Sequence, residues 1–252
     1  MISTKEKNYL LSLLRDLGKE TEKIKTGKIE YELKNDGSPL SEADSLVNNF
    51  LNEFIKKTDY QNVISEENKE IDYIHRASWD YFWLVDPIDG TKEFIRGGDD
   101  YTINIALCKN NRPIFSIVFA PSRDEFFHAE LNSGSFKNNK LIRLKPDKLT
   151  TLKVVASKSH INDATKTYIN ELREKYTIEV KNYGSSLKIC KVADGGAHIY
   201  PRFSPTMEWD TCAADLILHE AKGKIVATDD HMLTYNKKNL INPYFIAQGC
   251  YR

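Results

Sequence analysis

The segment Trp83-Leu84-Val85-Asp86-Pro87-Ile88-Asp89-Gly90-Thr91-Lys92-Glu93-Phe94 constrains this chain more than any other stretch. The apolar run from Tyr81 to Val85 has the character of a buried strand, and it meets an acid followed by proline, which has no N–H for a sheet ladder. The expectation is a strand that stops at Val85 with the Asp86 carboxylate at its tip. A second carboxylate follows at Asp89, and Gly90-Thr91 leave backbone N–H groups unobstructed at the start of a helix. Two carboxylates on one turn suit a hard cation such as Mg²⁺, and helix-opening N–H groups suit an anion. The same residues also describe an ordinary type I turn with Asp89 as a helix cap, so the rest of the chain must discriminate.

At 252 residues, 40% of them hydrophobic, the chain can bury a substantial core as one large domain or two closely joined ones. Lys+Arg and Asp+Glu both number 36, so the balance excludes bulk electrostatic binding of nucleic acid or a membrane surface, and any anion site must be local. Cys108, Cys190, Cys212 and Cys250 are scattered without a CxxC spacing, which indicates neither a zinc site nor a disulfide framework. Lys5, Glu6, Lys7, Arg15 and Asp16 interrupt the N-terminal leucines, unlike a signal peptide, and no segment approaches the roughly 20 apolar residues that span a bilayer. The expected location is the cytoplasm, with contact at the inner membrane face left open.

Leu10, Leu13, Leu14 and Leu17 mark an amphipathic helix from about Ser3 to Ile24. Alternation at Ile29, Tyr31 and Leu33 predicts a short strand before the Asp36-Gly37-Ser38-Pro39 turn. Ser41-Glu42-Ala43-Asp44 opens a second helix in the manner of a capping box, with Leu46, Val47, Phe50, Leu51, Phe54 and Ile55 expected on its buried face. Val63-Ile64 is a short strand running into Glu66-Glu67, a second strand that ends in acids. Thr102 to Leu107 alternates as a half-buried strand should, and hairpin signals at Asn110-Asn111 and Asn132-Ser133-Gly134 extend an antiparallel meander. Beyond Lys145-Pro146-Asp147 strands and helices alternate, which divides the chain into an N-terminal α+β part (1–147) and a C-terminal α/β part (148–252).

Three separated segments, Ser65-Glu66-Glu67, Asp86-Pro87-Ile88-Asp89-Gly90-Thr91 and Trp209-Asp210-Thr211-Cys212-Ala213-Ala214, together resemble the lithium-sensitive, magnesium-dependent phosphatases that include inositol monophosphatase and fructose-1,6-bisphosphatase. Lys92-Glu93-Phe94, Ser157-Lys158-Ser159-His160, Gly184-Ser185-Ser186-Leu187-Lys188 and Tyr200-Pro201-Arg202-Phe203 are similar to the 3′(2′),5′-bisphosphate nucleotidases of the bacterial CysQ type within that superfamily. Ser41 stands where threonine is usual, and Ala221-Lys222-Gly223 replaces a commoner paired glycine.

The resemblance implies an α/β (α+β) five-layer αβαβα sandwich. It implies one Mg²⁺ held by Glu66, Asp86 and the Ile88 carbonyl, and a second shared by Asp86, Asp89 and Asp210, a third ion being left open. It assigns activation of the attacking water to Thr91 with Asp44, and the scissile phosphate to the N–H groups of Gly90 and Thr91. The nucleotide and its second phosphate fall to Ser157, His160, Gly184, Lys188 and Arg202. The implied substrate is adenosine 3′,5′-bisphosphate, with an inositol or sugar phosphate as the alternative. The oligomeric state, monomer or homodimer, is left open.

Overall fold

The computed structural model describes residues 2–146, 148–157 and 162–251, and of Ser157 only the backbone. The chain begins with α1 (Thr4–Thr26), whose N-cap Ser3 and Glu6 form a capping box. A hairpin of β1 (Tyr31–Leu33) and β2 (Pro39–Ser41) leads into α2 (Glu42–Ile55). Then come β3 (Val63–Ser65), α3 (Tyr73–Arg76), β4 (Tyr81–Asp89), α4 (Thr91–Ile95), β5 (Thr102–Lys109), β6 (Arg112–Ala120), β7 (Glu125–Glu130), β8 (Gly134–Lys137) and β9 (Lys140–Ile142). Strands β3 to β9 form one seven-stranded sheet in sequence order, parallel at β3–β4 and antiparallel elsewhere.

The second half contributes β10 (Thr151–Ser157), α5 (Asp163–Arg173), β11 (Thr177–Tyr183), α6 (Leu187–Ala193), β12 (Ile199–Arg202), α7 (Glu208–Glu220), β13 (Lys224–Ala227) and β14 (Phe245–Gln248). Its five strands form a mixed sheet in the order β11-β10-β12-β14-β13. Apolar stripes decide how the layers stack. Leu10, Leu14 and Leu17 of α1 and Val47, Leu51 and Phe54 of α2 pack with Trp83, Ile105 and Ile117 on one face of the large sheet. The other face, through Leu84, Ala106 and Phe127, shares one core with Leu187, Cys190 and Leu216 of α6 and α7, and with Ile225 and Phe245 of the smaller sheet. Helix α5 closes the far side by placing Ile169 on Leu152, Val154 and Ile199. The result is the expected αβαβα stack. Among the described residues no helix is long and apolar enough to cross a membrane.

Three local expectations are corrected. Strand β4 does not stop at Val85; it continues to Asp89 through a bulge, with Asp86 opposite Asn104 and Asp89 opposite Thr102. Pro87 is tolerated because a bulge has no ladder bond for its missing N–H. Thr102 to Leu107 is not half-buried: β5 is covered on both faces, its polar alternates being used in hydrogen bonds rather than solvated. Tyr31 and Leu33 form the expected short strand but stay exposed, the buried side of the β1–β2 hairpin being Pro39 and Ser41 of β2. Phe50 points to solvent at 48% exposure, off the stripe that α2 buries.

Candidate active site

The carboxylates meet where β3, β4 and α7 converge. Glu66 follows β3, Asp86 lies within β4, and Asp210 is in the first turn of α7, where its carboxylate caps the helix by accepting the Met207 N–H (2.9 Å). One oxygen from each of Glu66, Asp86 and Asp210 lies within 4.8 Å of the others. Asp86 is almost wholly buried and its Oδ1 has no hydrogen-bond partner among the described residues, an orphaned anionic oxygen of the kind a cation satisfies. Burial, then the charges of Glu66, Asp89 and Asp210, push the Asp86 carboxyl well above the ordinary range. Burial, then Asp89, raises Asp210 in the same direction. Such crowded hard-oxygen donors fit a divalent cation such as Mg²⁺.

Asp89 stands beside this trio. Its Oδ2 accepts the Ser186 N–H at 2.5 Å, and its carboxyl is pushed up to about 6, burial outweighing the pull of the Lys188 charge. Gly90 is in the left-handed region (φ 94°), where a side chain would be strained, and caps α4. That helix is a single turn, so any anion binding here comes from individual N–H groups rather than a long helix dipole. The Thr91 hydroxyl is 3.2 Å from Asp44 Oδ1 and 3.0 Å from the Ile88 carbonyl. Asp44 Oδ2 accepts the N–H (2.8 Å) and hydroxyl (2.5 Å) of Ser41, so the capping box of α2 aims the other oxygen at Thr91. The two roles open in the sequence, cap and partner of Thr91, are served by different oxygens of one carboxylate. Burial raises the Asp44 carboxyl above its ordinary value.

On the other side of Asp89 and Asp210 is a small polar cavity of about 60 Å³ lined also by Ser185, Lys188, Tyr200 and Arg202. Lys188 is buried and its ammonium lies over the Tyr200 ring, 5.6 Å from the centroid. Burial lowers its pKa to about 8 against the opposing pull of Asp89. Arg202 turns Nε and Nη2 to the carbonyls of Ser204 (3.2 Å) and Pro205 (3.0 Å), which fixes its plane and leaves Nη1 near the Tyr200 hydroxyl. Gly184 is buried with its N–H donated to Asp100 Oδ2 (3.0 Å). Ser157 ends β10 opposite Tyr183, and His160 lies outside the described residues.

Sequence reasoning missed Lys34. From the turn after β1 its ammonium reaches Glu66 (2.8 Å) and Glu67 (2.6 Å), at the rim of a cleft of about 860 Å³ that continues past Trp209 and Leu240. No local pattern distinguishes a lone lysine before an Asn-Asp-Gly-Ser turn.

Oxygen ligands for a cation on one side of Asp89 and Asp210, with two basic side chains for an anion on the other, define the class: a cation-dependent phosphatase. The chain belongs to the inositol monophosphatase family, whose sequence profile matches residues 9–248. It is 33% identical to the 3′(2′),5′-bisphosphate nucleotidase CysQ of Haemophilus influenzae over 96% of this chain and 92% of that protein. With the protein of the same name from Salmonella typhimurium it shares 36% identity over 86% of this chain and 88% of the relative. The crystal structure of CysQ from Bacteroides thetaiotaomicron, described as a bacterial member of the family, superposes with a TM-score of 0.84 at 35% identity, covering 94% of both chains.

Proposed function

We propose that this chain is a Mg²⁺-dependent 3′(2′),5′-bisphosphate nucleotidase that hydrolyses adenosine 3′,5′-bisphosphate to AMP and phosphate, with the sulfated parent nucleotide as a second substrate. The observation that carries the reading is the buried Lys188, paired with Arg202 across a cavity that shares Asp89 and Asp210 with the carboxylate cluster. A monophosphate needs one anion site, and a bisphosphate needs two. The relatives that bear the nucleotidase name support the same substrate class.

In this reading Glu66, Asp86 and the Ile88 carbonyl would hold one Mg²⁺, and Asp86, Asp89 and Asp210 a second. Cations held there would supply charge compensation at the phosphoryl group and orientation for in-line displacement. Thr91 donates its hydroxyl proton to Asp44 and so presents a lone pair to the attacking water, whose proton follows the same route. The raised pKa of Asp44 makes it the better terminal base. The N–H groups of Gly90 and Thr91 bind oxygens of the scissile phosphate, Lys188 and Arg202 take the second phosphate, and Ser157, His160 and Gly184 border the nucleoside.

Phosphate release from adenosine 3′,5′-bisphosphate and from inositol 1-phosphate, each with Mg²⁺ and with a chelator, tests this directly. Strong preference for the nucleotide, abolished by the chelator, is expected. Preference for inositol phosphate would leave the cation chemistry standing and overturn the role given to Lys188.

A further inference from the structure

The loop Gly184–Ser186 joins β11 to α6 and is held by the opposite half of the molecule at both ends. Gly184 N–H donates to Asp100 Oδ2 (3.0 Å) and Ser186 N–H donates to Asp89 Oδ2 (2.5 Å). The Ser186 hydroxyl donates to Asn104 Oδ1 (2.7 Å), which leaves Thr102 as the donor in the 2.8 Å contact between the two hydroxyls. Between these anchors Ser185 sits at φ 46°, an uncommon conformation for a residue with a side chain, and one that persists only where its surroundings enforce it.

Unlike Asp89, Asp100 is not one of the clustered carboxylates. It is 1% exposed, and its Oδ1 accepts from both Nε (2.9 Å) and Nη2 of Arg123, whose guanidinium also covers the Tyr183 ring at 5.8 Å. The fit beneath the loop is tight: a Cβ on Gly184 would stand 2.7 Å from both Cβ and the carbonyl oxygen of Asp100. Glycine is therefore required at 184 for the loop to settle on Asp100.

Building on the nucleotidase reading, we infer that Asp100, fixed by Arg123, is a positioning residue for the reaction. It sets the loop so that the Ser186 N–H reaches Asp89 and α6 presents Lys188 to the second phosphate. Small misplacements of this kind cost roughly 10- to 100-fold in rate although the residue meets neither substrate nor cation.

The test uses the whole chain with Asp100→Asn, Asp100→Ala, Arg123→Ala and Arg123→Lys. Steady-state kinetics with adenosine 3′,5′-bisphosphate and with adenosine 3′-monophosphate are compared, together with amide exchange in the peptide containing Gly184 and Ser186. Expected are a fall of roughly 10- to 100-fold in kcat/KM for the bisphosphate with Arg123→Ala, a smaller fall for the monophosphate, faster exchange confined to the loop, and partial recovery with Arg123→Lys. Asp100→Asn preserves an acceptor for Gly184 and keeps the test alive if Asp100→Ala does not fold. Unchanged kinetics and exchange in a folded variant would overturn the inference, as would a loss equal on both substrates and matched by a general loss of stability. A wild-type protein inactive on the bisphosphate would refute the nucleotidase reading instead, and loop exchange would still decide whether Asp100 sets the loop.

Discussion

Replacing Asp89 with asparagine should make the cation-free protein more stable while abolishing its activity. The substitution keeps an oxygen for the Ser186 N–H, 2.5 Å away in the wild type, and removes only the charge. That charge is held uncomfortably: burial pushes the carboxyl from its ordinary 3.8 to about 6 in spite of Lys188. A folded-state pKa above the unfolded one means that the folded protein binds this proton more tightly. Stability from that source is complete below about pH 3.8 and lost as pH rises through about 6. Fully ionised at pH 7.5, the group costs about 3 kcal/mol, and screening at its partly exposed edge brings the figure to about 1–2 kcal/mol. With a chelator at pH 7.5, Asp89→Asn should therefore melt about 3–6 °C above wild type, and the gain should shrink by about half at pH 5. Adding Mg²⁺ should raise the wild-type melting temperature more than that of the variant, because the cation binds the folded state. Differential scanning calorimetry at the two pH values, with chelator and with Mg²⁺, measures all of this. A variant that melts below wild type in chelator at pH 7.5, or a gain indifferent to pH, would refute the electrostatic reasoning.

Thr91→Ala removes the hydroxyl that reaches Asp44 and should lower kcat by about 10²- to 10⁴-fold with little change in KM, read from steady-state phosphate release. Lys188→Met should lower kcat/KM for adenosine 3′,5′-bisphosphate by about 10- to 100-fold and leave a 3′-monophosphate nearly unaffected, since only the former carries the second charge. Activity should fall in acid as the carboxylates protonate, and raising Mg²⁺ should move that limb to lower pH; a limb that ignores Mg²⁺ would exclude ligand protonation as its cause.

The parts of the site readable from the chain were those in which a few adjacent residues do the work. Asp86, Asp89, Gly90 and Thr91 are consecutive enough for their turn to be recognised, and Ser41 with Asp44 announces a helix start that the structure also uses to aim a carboxylate. Lys34, Asp100 and Arg123 were invisible because each gains its role from a partner elsewhere: Glu66 across a hairpin, Gly184 across the join between the sheets. Thr102 and Asn104 misled for a related reason. Their polar side chains alternate as solvent-facing residues do, yet the face they mark is covered by Ser186 from the second half. A pattern of alternation reports which residues share a side, not whether water or another layer lies there.

The bulge in β4 carries a consequence of counting. In an unbroken strand, positions three apart point to opposite sides of the sheet, so Asp86 and Asp89 would be divided between two layers. Their cross-strand partners Asn104 and Thr102 are only two apart, and therefore on the same side. One surplus residue between the aspartates turns an odd interval into an even one and delivers both carboxylates to a single centre. A regular β4 that kept both Pro87 and Ile88 without the bulge would restore the odd count and send one of the two acids into the apolar layer beneath α1 and α2, although every aspartate remained in the chain.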